Sequence, residues 1–87
     1  MNKQHVQKAQ ICKALGHPIR FCIVEGLLGG ERNVAEITGC LGIAQPTVSQ
    51  HLNILKTAGV VEGVRDGNQI RYAVVHNGVK AIIEAMK

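Results

Sequence analysis

The stretch Gln45-Pro46-Thr47-Val48-Ser49-Gln50-His51-Leu52-Asn53-Ile54-Leu55-Lys56-Thr57-Ala58-Gly59 carries a core pattern and a surface pattern on one element. Proline at the front of a helix loses no needed donor and presets φ, so Gln45-Pro46-Thr47 predicts a helix start. Gly59 can take the left-handed backbone that ends the helix after Ala58, and β-branched Val60-Val61 then continue as strand. At about 100° per residue, Val48, Leu52 and Leu55 share one stripe, while Pro46, Ser49, Gln50, Asn53, Lys56 and Thr57 fill the opposite arc. One side is core; the other offers uncharged donors and acceptors plus one lysine. No acidic side chain occurs from Ile37 to Val61, so nothing on that arc repels a phosphate. Groups of this kind suit base edges and the sugar-phosphate backbone.

Upstream, Asn33 with Glu36 three positions on makes a capping-box start, Val34, Ile37 and Leu41 supply an apolar side, and Gly39 and Gly42 bracket the end. Only a tight turn fits between Leu41 and Gln45. Two helices joined so closely are either an αα-hairpin with a solvated polar face or a helix-turn-helix whose second helix enters the major groove. Downstream, Val60–Arg65 and Gln69–Val75 are β-rich around Asp66-Gly67-Asn68, which predicts a hairpin wing with Arg65 and Arg71 near its tip. Arginines there reach phosphates or a minor groove, although charges on exposed strands also discourage sheet pairing. The expected fold is mainly α with a small β-hairpin: a winged helix-turn-helix with four helices, two strands and a fifth helix.

Ala14-Leu15-Gly16-His17-Pro18-Ile19-Arg20, Val34-Ala35-Glu36-Ile37, the segment Gln45 to Leu55, Ala58-Gly59-Val60-Val61 and Arg71-Tyr72 stand in an order that resembles the ArsR/SmtB winged-helix repressors. The likeness runs from about Leu15 to Tyr72. It implies a homodimeric transcriptional regulator, usually a repressor, with its recognition helix starting near Gln45. On this reading Gln45, Thr47, Ser49, Gln50 and Asn53 read bases or fix register, while Lys56, Arg65 and Arg71, with Arg32 a further candidate, hold phosphates. Another use of the same arrangement is a protein-interaction module, with Gln50 and Asn53 meeting a partner protein.

At 87 residues and 9.4 kDa the chain is one domain, residues 1–87, small enough that burial against a second copy would help it. Val79, Ile82, Ile83 and Met86 repeat at helical spacing with Lys80, Glu84 and Lys87 opposite. The first helix spreads Val6, Ala9, Ile11, Cys12 and Leu15 over a wide arc. Terminal helices 2–15 and 78–87 are therefore expected to form a dimer layer through Val6, Ala9, Cys12, Val79, Ile82, Ile83 and Met86. The alternative is that both fold onto their own domain.

The net charge of +4 and pI near 9.3 permit nucleic acid without demanding it. One Phe, one Tyr and no Trp leave no stacking platform for single strands or RNA, so double-stranded DNA is the expected partner. No apolar run approaches the ~20 residues needed to span a bilayer, and the N-terminal residues are polar, which predicts a cytoplasmic protein with no membrane partner. Glu25, Glu31, Glu36, Glu62, Asp66 and Glu84 are scattered without paired spacing, and no Gly-rich phosphate loop occurs, so no enzyme activity and no cofactor are expected.

Cys12, Cys22 and Cys40 are odd in number and lack CxC or CxxC spacing, against a disulfide scaffold or a local zinc site. Cys22 lies in an apolar helix and is expected to be a buried small hydrophobe; Cys12 and Cys40 are the candidate thiol sensors. The resemblance adds little for sensing. Metal-sensing relatives carry cysteines where this chain has Arg32 to Glu36, and those with a zinc site on the last helix need a second ligand pair beyond Lys87. Cys22 echoes one cysteine of sulfur-responsive relatives. His76 is expected to be a strand-exit residue, His17 to hydrogen-bond at a neighbouring helix end, and His51 to brace the helix-turn-helix rather than touch phosphate.

Overall fold

The structure, a computed structural model, describes residues 2–87. Helix α1 (Lys3–Leu15) starts where Asn2 Oδ1 accepts the His5 N–H at 3.0 Å. Helix α2 (Pro18–Leu27) is capped by His17, whose Nδ1 accepts the Ile19 N–H at 3.1 Å. A two-residue strand β1 (Arg32–Asn33) leads into α3 (Val34–Leu41), which opens with a closed capping box between Asn33 and Glu36. Gly42, at φ +70°, ends α3.

Helix α4 (Gln45–Thr57) follows, with Pro46 in its first turn, and Gly59 at φ +81° releases the chain into β2 (Val61–Asp66). Strand β3 (Gln69–Val74) returns, and α5 (Asn77–Ala85) closes the chain behind a His76 cap whose Nδ1 accepts the Val79 N–H. His76 is thus a strand-exit residue. Asp66 pairs with Gln69, so the wing turns over Gly67 and Asn68 alone, with Gly67 at positive φ.

The expected hairpin is part of a larger sheet. Its order is β1-β3-β2, all antiparallel, because Arg32 pairs with Tyr72 and Asn33 with Arg71. That third strand corrects the helix and strand order read from sequence, in which no strand preceded α3. Two residues carry no alternation to recognise; the neighbouring β3 edge makes them a strand.

Val48, Leu52 and Leu55 of α4 are at most 1 % exposed, and they join Ile23, Val24 and Leu27 of α2, Ile37 of α3, and Val60, Val61 and Val74 of the sheet. Fully burying each such side chain is worth about 1.5–3 kcal/mol. Val79 and Ile83 complete the same core. This corrects their placement in a dimer layer: they are consumed within their own domain, leaving Ile82 and Met86 exposed on α5. Cys22 is also corrected. It is exposed, because the buried face of α2 runs through Ile23, Val24 and Leu27 and Cys22 projects almost opposite. Among the described residues no helix is long and apolar enough to cross a membrane.

Gly63 sits in β2 opposite Tyr72. A Cβ there would lie 2.6 Å from Ile70 Cγ2 and 3.0 Å from Tyr72 Cε1, so both side chains lie across the bare backbone. Gly63→Val should therefore lower stability by about 1–3 kcal/mol through overpacking. Urea denaturation checks this; an unchanged midpoint would show that Ile70 swings aside freely.

Candidate nucleic-acid interface

Helix α4 is anchored by its apolar stripe, which fixes how its other side faces out. Gln45, Ser49, Gln50, Asn53 and Lys56 are exposed and Thr47 is half-buried. The side-chain hydrogen bonds around them are made by Arg20, His51, Asn33, Gln69 and Arg71, which leaves the amides and hydroxyl of the α4 arc open to a ligand. Helix α4 itself carries no carboxylate.

Two grooves flank this face. On the wing side, Gln45 meets Asn33, Val34, Ala35, Asn68, Gln69 and Ile70 around a cavity of about 330 Å³. Asn33 Nδ2 donates to Gln69 Oε1 at 2.7 Å across it, tying β1 to the root of the wing turn. Sequence reasoning missed Asn33, Asn68 and Gln69 as lining residues. Only the helical cap of Asn33 was visible locally, whereas its partner is 36 positions away. On the α1 side, Asn53, Ile54 and Thr57 face Gln10, Lys13, Ala14 and Arg20 across a cleft of about 420 Å³. Asn53 therefore stands at the border of the arc rather than at its centre.

The wing arginines part company. Arg65 is exposed opposite Ile70, close to the turn. Arg71 is not at the tip: it lies on the central strand between Asn33 and Val64. Its Nη2 donates to the Glu31 carbonyl at 3.2 Å and stands 3.7 Å from Glu36 Oε1. An exposed pair of this kind contributes about 0–1 kcal/mol, so its main effect is to aim the guanidinium along the sheet. Of the cations expected to face phosphate, Lys56 on α4 and Arg65 on β2 make no side-chain hydrogen bond or ion pair among the described residues. Arg32 is half-buried, and its Nε donates to the Gly26 carbonyl at 3.4 Å.

Behind α4, Arg20 gathers three elements. Its Nε donates to the Ala14 carbonyl at 2.6 Å and its Nη2 to the Lys13 carbonyl at 3.3 Å, capping α1, while Nη1 donates to His51 Nδ1 at 3.3 Å. The His17 and His51 rings lie 4.6 Å apart at 45°. Burial, then the neighbouring His17, then Arg20, hold the His51 imidazole below its ordinary pKa of 6.5. His51 thus braces α4 against α2 through Arg20, rather than against α3, its partner in the helix-turn-helix. Cys12, Cys22 and Cys40 are free and exposed on three different helices, and no cluster of three or more His, Cys, Asp or Glu forms among the described residues.

Two adjoining helices, an outward polar second helix and a paired wing define a winged helix-turn-helix regulator. Residues 17–63 match the family described as "Bacterial regulatory protein, arsR family", and the chain belongs to that family. It is 36% identical over 86 residues to the biofilm growth-associated repressor of Xylella fastidiosa, covering 99% of this chain and 75% of that one. The fold is similar to HlyU from Vibrio cholerae, with a TM-score of 0.91, 30% identity and coverage of 99% and 94% of the two chains. It also resembles Mb0332 from Mycobacterium bovis, whose solution structure is described as a homodimeric winged helix-turn-helix DNA-binding domain. There the TM-score is 0.87 at 29% identity, over 99% of this chain and 83% of that one.

Proposed function

We propose that this protein is a homodimeric repressor that binds an inverted repeat in double-stranded DNA, with α4 as the recognition helix. The observation that carries the reading is the free polar arc of α4, which carries Lys56 and no carboxylate, set between two grooves and backed by a fully buried stripe. Gln45, Thr47, Ser49 and Gln50 face base edges, with Asn53 at the margin; Lys56 and Arg65 face phosphates, and Arg71 joins them from the sheet. The repressor activity named for the Xylella fastidiosa relative and the homodimer named for the Mycobacterium bovis neighbour support this assignment.

Dimerisation falls to α1 and the outer side of α5. Only Ala14 and Leu15 of α1 are buried, and Val6, Ala9 and Cys12 face out, as do Ile82 and Met86. A second copy covering these residues would place two recognition helices about one DNA turn apart, ~34 Å.

The experiment is a titration of fluorescent random duplex at rising salt. We expect binding at low salt that falls steeply as salt rises, since a +4 chain doubles its charge in a pair and each phosphate contact releases counterions. Absence of binding at every salt concentration would overturn the reading and favour a protein-interaction module.

A further inference from the structure

Within the DNA-binding reading, on which this inference rests, we propose that Arg20 and His51 are positioning residues. They lock the recognition helix to the C-terminal end of α1, and so fix the angle at which a dimer presents its two α4 helices.

The geometry is a chain of three links. Arg20 leaves α2, donates to the Ala14 and Lys13 carbonyls in the last turn of α1, the second of which also accepts the Gly16 N–H, and directs Nη1 to His51, which stands in the middle of α4. A guanidinium always donates, so this contact requires an unprotonated Nδ1 on His51, with the ring proton on Nε2. The His17 ring lies against the same imidazole from the α1–α2 turn, and its own Nδ1 is committed to the Ile19 N–H. No other side-chain hydrogen bond joins α4 to α1 or α2 among the described residues.

The same arrangement makes the lock sensitive to acid. A second proton on His51 removes the acceptor and sets a cation 3.3 Å from the guanidinium and beside His17. No carboxylate offsets this. Of the other elements packed on α4, α3 brings Glu36 and Cys40, β2 brings Glu62, Arg65 and Asp66, and α1 brings Lys13, yet none of these shifts the imidazole. The folded pKa lies below 6.5, so the lock is intact above that pH and is lost as pH falls through the lower folded value.

Acid makes two opposite demands on DNA binding, and this separates the lock from simple charge. Added protons raise the positive charge and strengthen binding to any duplex, whereas loss of the lock weakens only binding that needs both helices in register. The test uses the full chain, a duplex that the protein selects from a random pool, and an unselected duplex, titrated by anisotropy from pH 8 down to the acid limit of the folded state. Far-ultraviolet circular dichroism accompanies each point to follow folding.

For the native protein we expect affinity for the selected duplex to fall by about tenfold with acid, the scale of removing one hydrogen bond to a charged group. Affinity for the unselected duplex should hold or rise. His51→Asn, whose Oδ1 sits where Nδ1 does, should keep selected-duplex affinity at pH 8 and lose the acid-induced fall. His51→Ala should be weakened about tenfold at every pH with the unselected duplex unaffected. Arg20→Lys, which cannot hold two carbonyls and the imidazole together, should behave as His51→Ala does. Selected and unselected duplexes responding to acid in parallel, or a folded His51→Ala with native selectivity, would overturn the positioning role while leaving DNA binding in place. Failure to bind either duplex at pH 8 would overturn both readings together.

Discussion

Alanine at Ser49 and Gln50 together should reduce affinity for a selected duplex by about 30-fold or more, because removing a side chain that reads a base edge costs about 1–3 kcal/mol. Both side chains are exposed on the outer arc of α4, and alanine is at least as good a helix former as either, so the helix and the domain should be undisturbed. Binding to unselected duplex should stay within about twofold, since Lys56, Arg65 and Arg71, which we propose face phosphates, remain. Paired mobility shifts on the two duplexes, with sedimentation to follow the dimer, check the result. Equal losses on both duplexes would mean that these residues touch only backbone; unchanged affinity on both would move the base-reading face elsewhere.

Leu52→Ala should destabilise the domain by about 2–5 kcal/mol, the range for truncating a fully buried leucine. Leu52 is 1 % exposed and lies between Val48 and Leu55 on the stripe that holds α4 to α2, α3 and the sheet. For a domain of this size whose whole stability is of order 5–15 kcal/mol, the melting temperature should drop by roughly 10 °C or more. DNA binding should weaken only in proportion to the unfolded fraction and recover at lower temperature. Ile54→Ala is the control. Ile54 is 43 % exposed at the α1 cleft, so its truncation should cost well under half as much. Denaturant titration of both variants checks the contrast, and equal costs would show that the α1 cleft is closed more tightly in solution.

The two helices of the helix-turn-helix were legible because their signals close within a few residues. Asn33 and Glu36 cap one another three positions apart, Gly42 and Gly59 take the left-handed angles that end α3 and release α4, and Val48, Leu52 and Leu55 mark a face by periodicity alone. The hairpin was legible for the same reason, through two β-rich runs around Gly67. The exposed arc follows from the buried stripe, so its residues needed no partner to be found.

What stayed hidden depends on residues far apart in the chain. Arg71 reads as a wing-tip cation until β1 pairs with β3 and brings Glu31, 40 positions away, under its guanidinium. Val79 and Ile83 share a stripe with Ile82 and Met86, and periodicity cannot say whether a domain or a second copy covers it; the core covers the first two. An α2 that looks apolar nearly all round leaves Cys22 outside, since its neighbours bury only one face.

Sequence by itself determined the order of helices and strands from α3 to β3, where each turn begins, and which arc of α4 is polar, because capping, positive φ and periodicity are settled by neighbours along the chain. Only the tertiary structure decided which cations stay free, which half of the α5 stripe is already used, and that Arg20 reaches His51 across 31 positions. Those outcomes turn on which surfaces meet when the core closes, and a local pattern carries no record of its distant partner.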